Sequence, residues 1–269
     1  MKTTNMRFFN QNGLTLVEIL VAMVLGTFLI GGVLEVYLSN KQTSLMQNNL
    51  SELQENGRAA MNILARDIRM AGFHGDFSFR TNTNIVDALP ISPSLDSIVS
   101  GVDSGQPNYW TAAQQAAVVP DTDVITVMFA RPCGGKLQPP GMTNPSSPIP
   151  ISANAANNCN ITAGDAVFIT DNSRADIFLA TNNNATNITH ARLLNTYGTG
   201  ANAGSEIFPY FINSYYIGIG ANNRPALFRF DNVRPGLGVS VQELIEGIED
   251  MQILYGINTD ADIAPNFLC

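Results

Sequence analysis

Between Leu14 and Leu34 the chain runs for 21 residues with polar side chains only at Thr15, Glu18 and Thr27. A helix of that length crosses the roughly 30 Å hydrocarbon core of a bilayer. Whatever else folds here must therefore follow an apolar rod. Ahead of the rod, the leader carries Lys2 and Arg7 and no acidic residue, which predicts an N-terminus held in the cytoplasm. A secretory signal has the same basic start, but its small-residue cleavage site follows the apolar run. Here Gly13 precedes the run.

Glu18, five residues beyond Gly13, is the informative side chain. A charge deep in a bilayer costs roughly 2.5–3.5 kcal/mol by insertion scales. Two readings stand. In one, Glu18 lies near the interface, about 6 Å along the helix from Leu14, and is tolerated there. In the other, it awaits a cation. Cleavage after Gly13 creates one, the ammonium of Leu14, at a helix start whose dipole also favours a carboxylate.

Gly13 followed by Leu-Thr-Leu-Val-Glu and an unbroken apolar helix resembles the class III leader of type IV pilins and type II secretion pseudopilins. The resemblance covers residues 7–34. It implies that a prepilin peptidase cuts after Gly13 and methylates the new N-terminus at Leu14. It also implies that Glu18 pairs with an N-terminal amine during assembly. Leu14 stands where relatives usually have Phe.

Helical periodicity continues past the membrane run. Met46, Leu50, Leu53, Gly57, Ala60, Leu64, Ile68 and Ala71 form one stripe, with Glu52, Glu55, Arg58, Arg66 and Arg69 on other faces. No proline interrupts Leu14–Ala71, and Gly72 is a plausible stop. The expected order is leader 1–13, transmembrane half-helix 14–34, amphipathic half-helix 35–72 and a globular domain over 73–269. An amphipathic half must cover something. Gly26, Gly31 and Gly32 give either flexibility in lipid or close packing against neighbouring helices, and packing is the favoured reading.

Residues 73–122 are mixed and turn-rich. Asp123–Ala130 reads as a firm strand, and further strands are expected at Asp165–Thr170, Asp176–Ala180, Ile188–Leu194, Phe208–Ile219, Ala226–Phe230 and Asp250–Ile257. One helix followed by antiparallel-looking strands predicts an α+β domain, with the amphipathic half-helix against one face of the sheet. Residues 131–163 read as a long loop, bracketed by Cys133 and Cys159 with 25 residues between. A bridge there closes the loop; the alternative is two reduced thiols. With a membrane anchor, three cysteines suit an oxidising exported compartment, with one pair and Cys269 left over.

Two more stretches extend the resemblance. Ala65-Arg-Asp-Ile-Arg-Met-Ala-Gly-Phe73 and Val241-Gln-Glu-Leu-Ile-Glu-Gly-Ile-Glu-Asp-Met-Gln-Ile-Leu-Tyr-Gly256 are similar to the PilW family of minor pilins. Residues 75–240 carry no motif of that family. Relatives often place a cysteine shortly after Arg-Met-Ala-Gly, where this chain has Gly75-Asp76, and tend to continue past Tyr-Gly into another strand. A sheet edge is therefore expected to be exposed.

Little else speaks for chemistry. His74 and His190 lie far apart with no Cys-x-x-Cys or His-x-x-x-His nearby, so a catalytic zinc site is not expected. Gly198–Gly204 misses the dinucleotide fingerprint and follows no clear strand. Asp260 and Asp262 resemble the start of a calcium loop, but Ile263 replaces the required glycine and no Glu holds the twelfth place, so an acidic turn is the default. The sequons at Asn160, Asn184 and Asn187 read as coincidence in a bacterial protein, the source that a pilin leader implies. The net charge is −8, and loss of Lys2 and Arg7 with the leader makes it −10, which disfavours nucleic acid as a partner.

The expected function is that of a structural minor pilin, not an enzyme, with no cofactor. The resemblance implies assembly with other minor pilins and the major pilin at an inner-membrane platform, and a globular face for those partners or a tip adhesin. A pseudopilin of type II secretion shares the leader and is the alternative. An anchored periplasmic enzyme or binding protein would need a convergent polar pocket.

Overall fold

A computed structural model describes residues 13, 15–75, 83–87, 89, 98–105, 107–108, 110–171, 173–182, 186–199, 204–233, 241–254 and 256. The residues divide into two units, the chain up to Glu55 and the chain from Asn56 onward, and each is described by itself.

In the first unit, helix α1 (Leu16–Met70, which runs on into the second unit) is exposed at every described side chain, Gly26 alone being partly covered. The segment is long and apolar enough to span a bilayer, and none of its apolar window is buried.

The second unit contains the remaining elements. In chain order they are β1 (Thr83–Ile85), β2 (Val99–Val102), α2 (Ala112–Gln115), β3 (Val124–Ala130), β4 (Gly135–Lys136), β5 (Ile149–Pro150) and α3 (Ala153–Cys159). Then follow β6 (Ala166–Thr170), β7 (Ala175–Leu179), β8 (Asn187–Ile188), β9 (Glu206–Ile219), β10 (Pro225–Asp231) and β11 (Val241–Glu246). The sheet runs β1-β7-β6-β9-β10-β11, with β2 on β3 and both β3 and β4 on β9. Its pairs are antiparallel except β1 with β7, so the expected antiparallel sheet includes one parallel pair.

Strand β9 holds the sheet together because its length serves two sets of neighbours. Its start pairs with β6 and β4, and its later part with β3 and β10. Pro209 stands at the change of neighbours, where an N–H is dispensable. The firm strand β3 is buried on both faces. Ile125, Val127 and Phe129 face Ala60, Ile63, Leu64 and Met70 of α1, together with Tyr215, Ile217 and Leu227. Val124 faces the opposite way, onto Trp110, Val118, Tyr216 and Phe230. The α+β class holds, with the end of α1 against one sheet face.

Gly72 stops the helix: its φ is +76°, and an added Cβ would come within 2.8 Å of Ile98 Cδ1. Of the expected stripe, Met46, Leu50 and Leu53 are 73%, 54% and 57% exposed, and Ile68 is 41% exposed. The buried residues of α1 are Ala60 and Asp67.

Three further expectations differ. Residues 131–163 are not one loop but hold β4, β5 and α3. Past Ile188 the expected strand dissolves, because its backbone bonds leave the sheet: Leu193 N–H donates to Pro145 O at 2.9 Å. Among the described residues of 250–257 no strand forms either. There, Ile253 N–H donates to the Asp123 carboxylate at 2.7 Å, and Asp123 N–H to Met251 O at 2.9 Å.

Candidate functional site

Glu18 has a local partner that its charge alone does not announce. Thr15 is the residue before α1, and Glu18 is the third residue of the helix. Thr15 N–H donates to Glu18 Oε2 at 3.2 Å, while Glu18 N–H donates to Thr15 Oγ1 at 3.3 Å. This reciprocal pair is a capping box, which satisfies amides that a helix start leaves open. Its signal in the sequence is Thr-x-x-Glu. Carboxylate and helix start are thus held together, with exposed Leu16, Val17, Ile19 and Leu20 around them.

The three glycines of the apolar run lie in open space, with nothing within 4 Å of a Cβ added at Gly26, Gly31 or Gly32. Nearby Phe28, Leu29 and Ile30 are 84%, 70% and 60% exposed. The surface offered there is wholly apolar, with Thr27 Oγ1 turned back onto Met23 O and Val24 O. An apolar surface of this kind is at home in lipid or against another helix.

In the second unit, Cys133 and Cys159 form a disulfide with a Cα–Cα distance of 4.9 Å. It ties the chain after β3 to the last residue of α3. That short helix is capped by Ser152, whose hydroxyl accepts from Ala155 N–H at 3.1 Å, and ends at Asn160 in the left-handed region. Gly135 lets the backbone pass: a Cβ there would meet Ile207 Cγ2 at 2.5 Å and Cys159 Sγ at 3.1 Å.

The second conspicuous charge is Asp67, inside the Ala65–Phe73 motif and only 3% exposed. Its carboxylate accepts from the Tyr215 hydroxyl, from Asn213 Nδ2 at 3.4 Å and from Arg66 Nε at 3.3 Å. Burial, then the neighbouring carboxylate, pushes the Tyr215 phenol well up, so it stays protonated and donates. Elsewhere, Asp176 accepts from Asn84 and Asn195, Asp165 from Thr162, and Asp87 from Leu179 N–H. These carboxylates fasten loops to the sheet. Burial lowers the pKa of His74 to about 4, against a smaller opposing effect of its hydrogen bond to Gly72 O.

Among the described residues, no group of His, Cys, Asp and Glu is arranged to hold a metal ion. Leu14, Asp260, Asp262 and Cys269 lie outside the described residues.

Two family models match the chain. One, described as Type IV Pilus-assembly protein W, matches residues 214–267. The other, described as Prokaryotic N-terminal methylation motif, matches residues 8–34. No curated protein and no solved structure matches. The first match takes in the end of β9 with β10 and β11, and the second takes in residues 8–13 and the start of α1. The chain is thus similar to a type IV pilus-assembly family near its C-terminal end and to the N-terminal methylation motif near its start.

Proposed function

We propose, from the premise that this chain is a membrane-anchored type IV pilin, that it serves as a minor pilin in the initiation of pilus assembly. The prepilin peptidase removes residues 1–13 on the cytoplasmic side and methylates Leu14. The domain from Asn56 onward folds in the periplasm, where the Cys133–Cys159 bridge is stable. With other minor pilins, the mature chain forms a priming complex on the inner-membrane platform, from which the major pilin polymerises, and it remains at the pilus tip. The match over residues 214–267 supports a pilus over a type II secretion filament.

One observation carries this reading: a capping carboxylate, Glu18, at the start of the apolar, exposed first part of α1. An unpaired carboxylate in the bilayer is costly, so a subunit that offers an ammonium at the right height is preferred over one that does not. Glu18 thereby sets the axial register of neighbouring helices, and Gly26, Gly31 and Gly32 allow those helices to approach closely.

The test separates capping from pairing. Glu18→Gln keeps an acceptor for the Thr15 amide and removes the charge, whereas Glu18→Ala removes both. Both variants are expected to be cleaved after Gly13, as read by mass spectrometry of the mature N-terminus, and both are expected to be lost from sheared pili. Glu18→Gln entering pili like the wild type would reduce Glu18 to a helix cap. A chain purified from cells that still begins at Met1 would overturn the processing step.

A further inference from the structure

On the α1 side of the sheet, where the helix ends, a groove of about 360 Å³ opens in the second unit. Arg66, Asp67 and Met70 of α1 form one wall, and Phe129, Arg131, Phe211, Asn213 and Arg229 the other. The ladder explains the set. Phe129 pairs with Phe211, and Tyr215 pairs with Arg229, so these positions share one sheet face.

Three guanidinium groups in one groove are unusual for a chain with 14 basic and 22 acidic residues. Arg66 spends its Nε on Asp67 at 3.3 Å. Arg131 lies over the Phe211 ring at 4.8 Å, and Phe211 stacks on Phe129 at 5.4 Å. Arg229 donates to Gln242 Oε1 at 2.7 Å. Among the described residues, neither Arg131 nor Arg229 makes an ion pair. Among the described residues that line the groove, the one carboxylate, Asp67, already accepts from Tyr215, Asn213 and Arg66.

We propose that this groove is a docking site for an acidic segment of a partner protein, in which carboxylates meet Arg131 and Arg229 and an adjoining apolar side chain lies on the Phe129–Phe211 pair. Arginine's planar fork matches a carboxylate with two parallel bonds. The apolar floor selects a peptide with alternating character over a small inorganic anion. Asp67, at the rear, opposes a doubly charged phosphate more than a single carboxylate. The site stands on the domain's own geometry, so it is tested without reference to pilus assembly.

The experiment uses the full chain in phosphatidylcholine nanodiscs and a short fluorescein-labelled peptide of alternating Glu and Leu with blocked ends. The comparison probes are the same peptide with Gln for Glu, and phosphatidylglycerol vesicles. The Glu peptide is expected to bind, the Gln peptide not, and added salt to weaken the complex. Arg131→Gln and Arg229→Gln are each expected to lower affinity about tenfold, the scale of one charge-assisted contact. Arg131 is exposed, so its variant should melt like the wild type, and it decides the outcome if Arg229→Gln fails to fold. Equal binding of both peptides, no binding of either, an unchanged affinity in Arg131→Gln, or capture of the vesicles in place of the peptide would each overturn the assignment.

Discussion

Asp67 is a charged residue on a face that the sequence reserves for apolar side chains. The stripe read at three- and four-residue steps passes through Ile68, yet Ile68 is 41% exposed and its neighbour Asp67 is 3% exposed. The periodicity marks a real face but misses its centre by about one position. The displacement arises because Tyr215 and Asn213, far away in sequence, supply the donors that make a buried carboxylate acceptable. Asp67→Ala strands both donors and is expected to cost about 2–4 kcal/mol, read by chemical denaturation of the full chain. An unchanged midpoint would mean that the helix end is held by its apolar contacts alone. His74 makes a second prediction at this scale. It is buried against Phe168 and Tyr210, with a folded pKa of about 4 against 6.5 when unfolded. Its neutral form therefore contributes stability that is fully present above pH 6.5 and is lost as the pH falls toward 4, about 3 kcal/mol in all. Melting temperatures measured between pH 7 and 5 should fall in the wild type and stay flatter in His74→Phe.

The elements legible in the sequence are the ones whose pattern is dense. Strands β3, β6, β7, β9 and β10 lie within two residues of their expected ends because each is dense in apolar residues. Short elements escape. β1, β2, β4, β5 and β8 have two to four residues each and take their backbone partners from elsewhere in the chain, which no local window records. Helix α3 is hidden in a run of Ala and Asn that reads as loop, although Ser152 marks its cap. The cysteines are the better guide there, since their spacing suggests a closed segment. The Cys133–Cys159 bridge spans a sequence separation of 26, and loop-closure entropy gives it about 3 kcal/mol. Replacing both with Ser is expected to lower stability by that amount in denaturant titrations, and reductant on the wild type should reproduce the effect. A double variant as stable as the oxidised protein would place the stability of this region in the core around Leu137, Ile149 and Phe178 instead.

At the scale of the whole chain, the two units follow different rules. From Asn56 onward, apolar side chains are collected into four clusters and buried carboxylates fasten the connections. Up to Glu55, the described apolar side chains are exposed. The division at Asn56 falls inside the expected amphipathic half-helix 35–72, and only the apolar run of 14–34 is plain from the sequence. The arginine groove is not, because its members come from α1, the end of β3, β9 and β10 and meet only through strand register. The reciprocal bonds between Thr15 and Glu18 have a consequence for the life of the molecule. A first turn that closes on itself satisfies its own amides without a second chain. Under the proposed function, production of the subunit and its consumption by a growing filament then need not coincide in time.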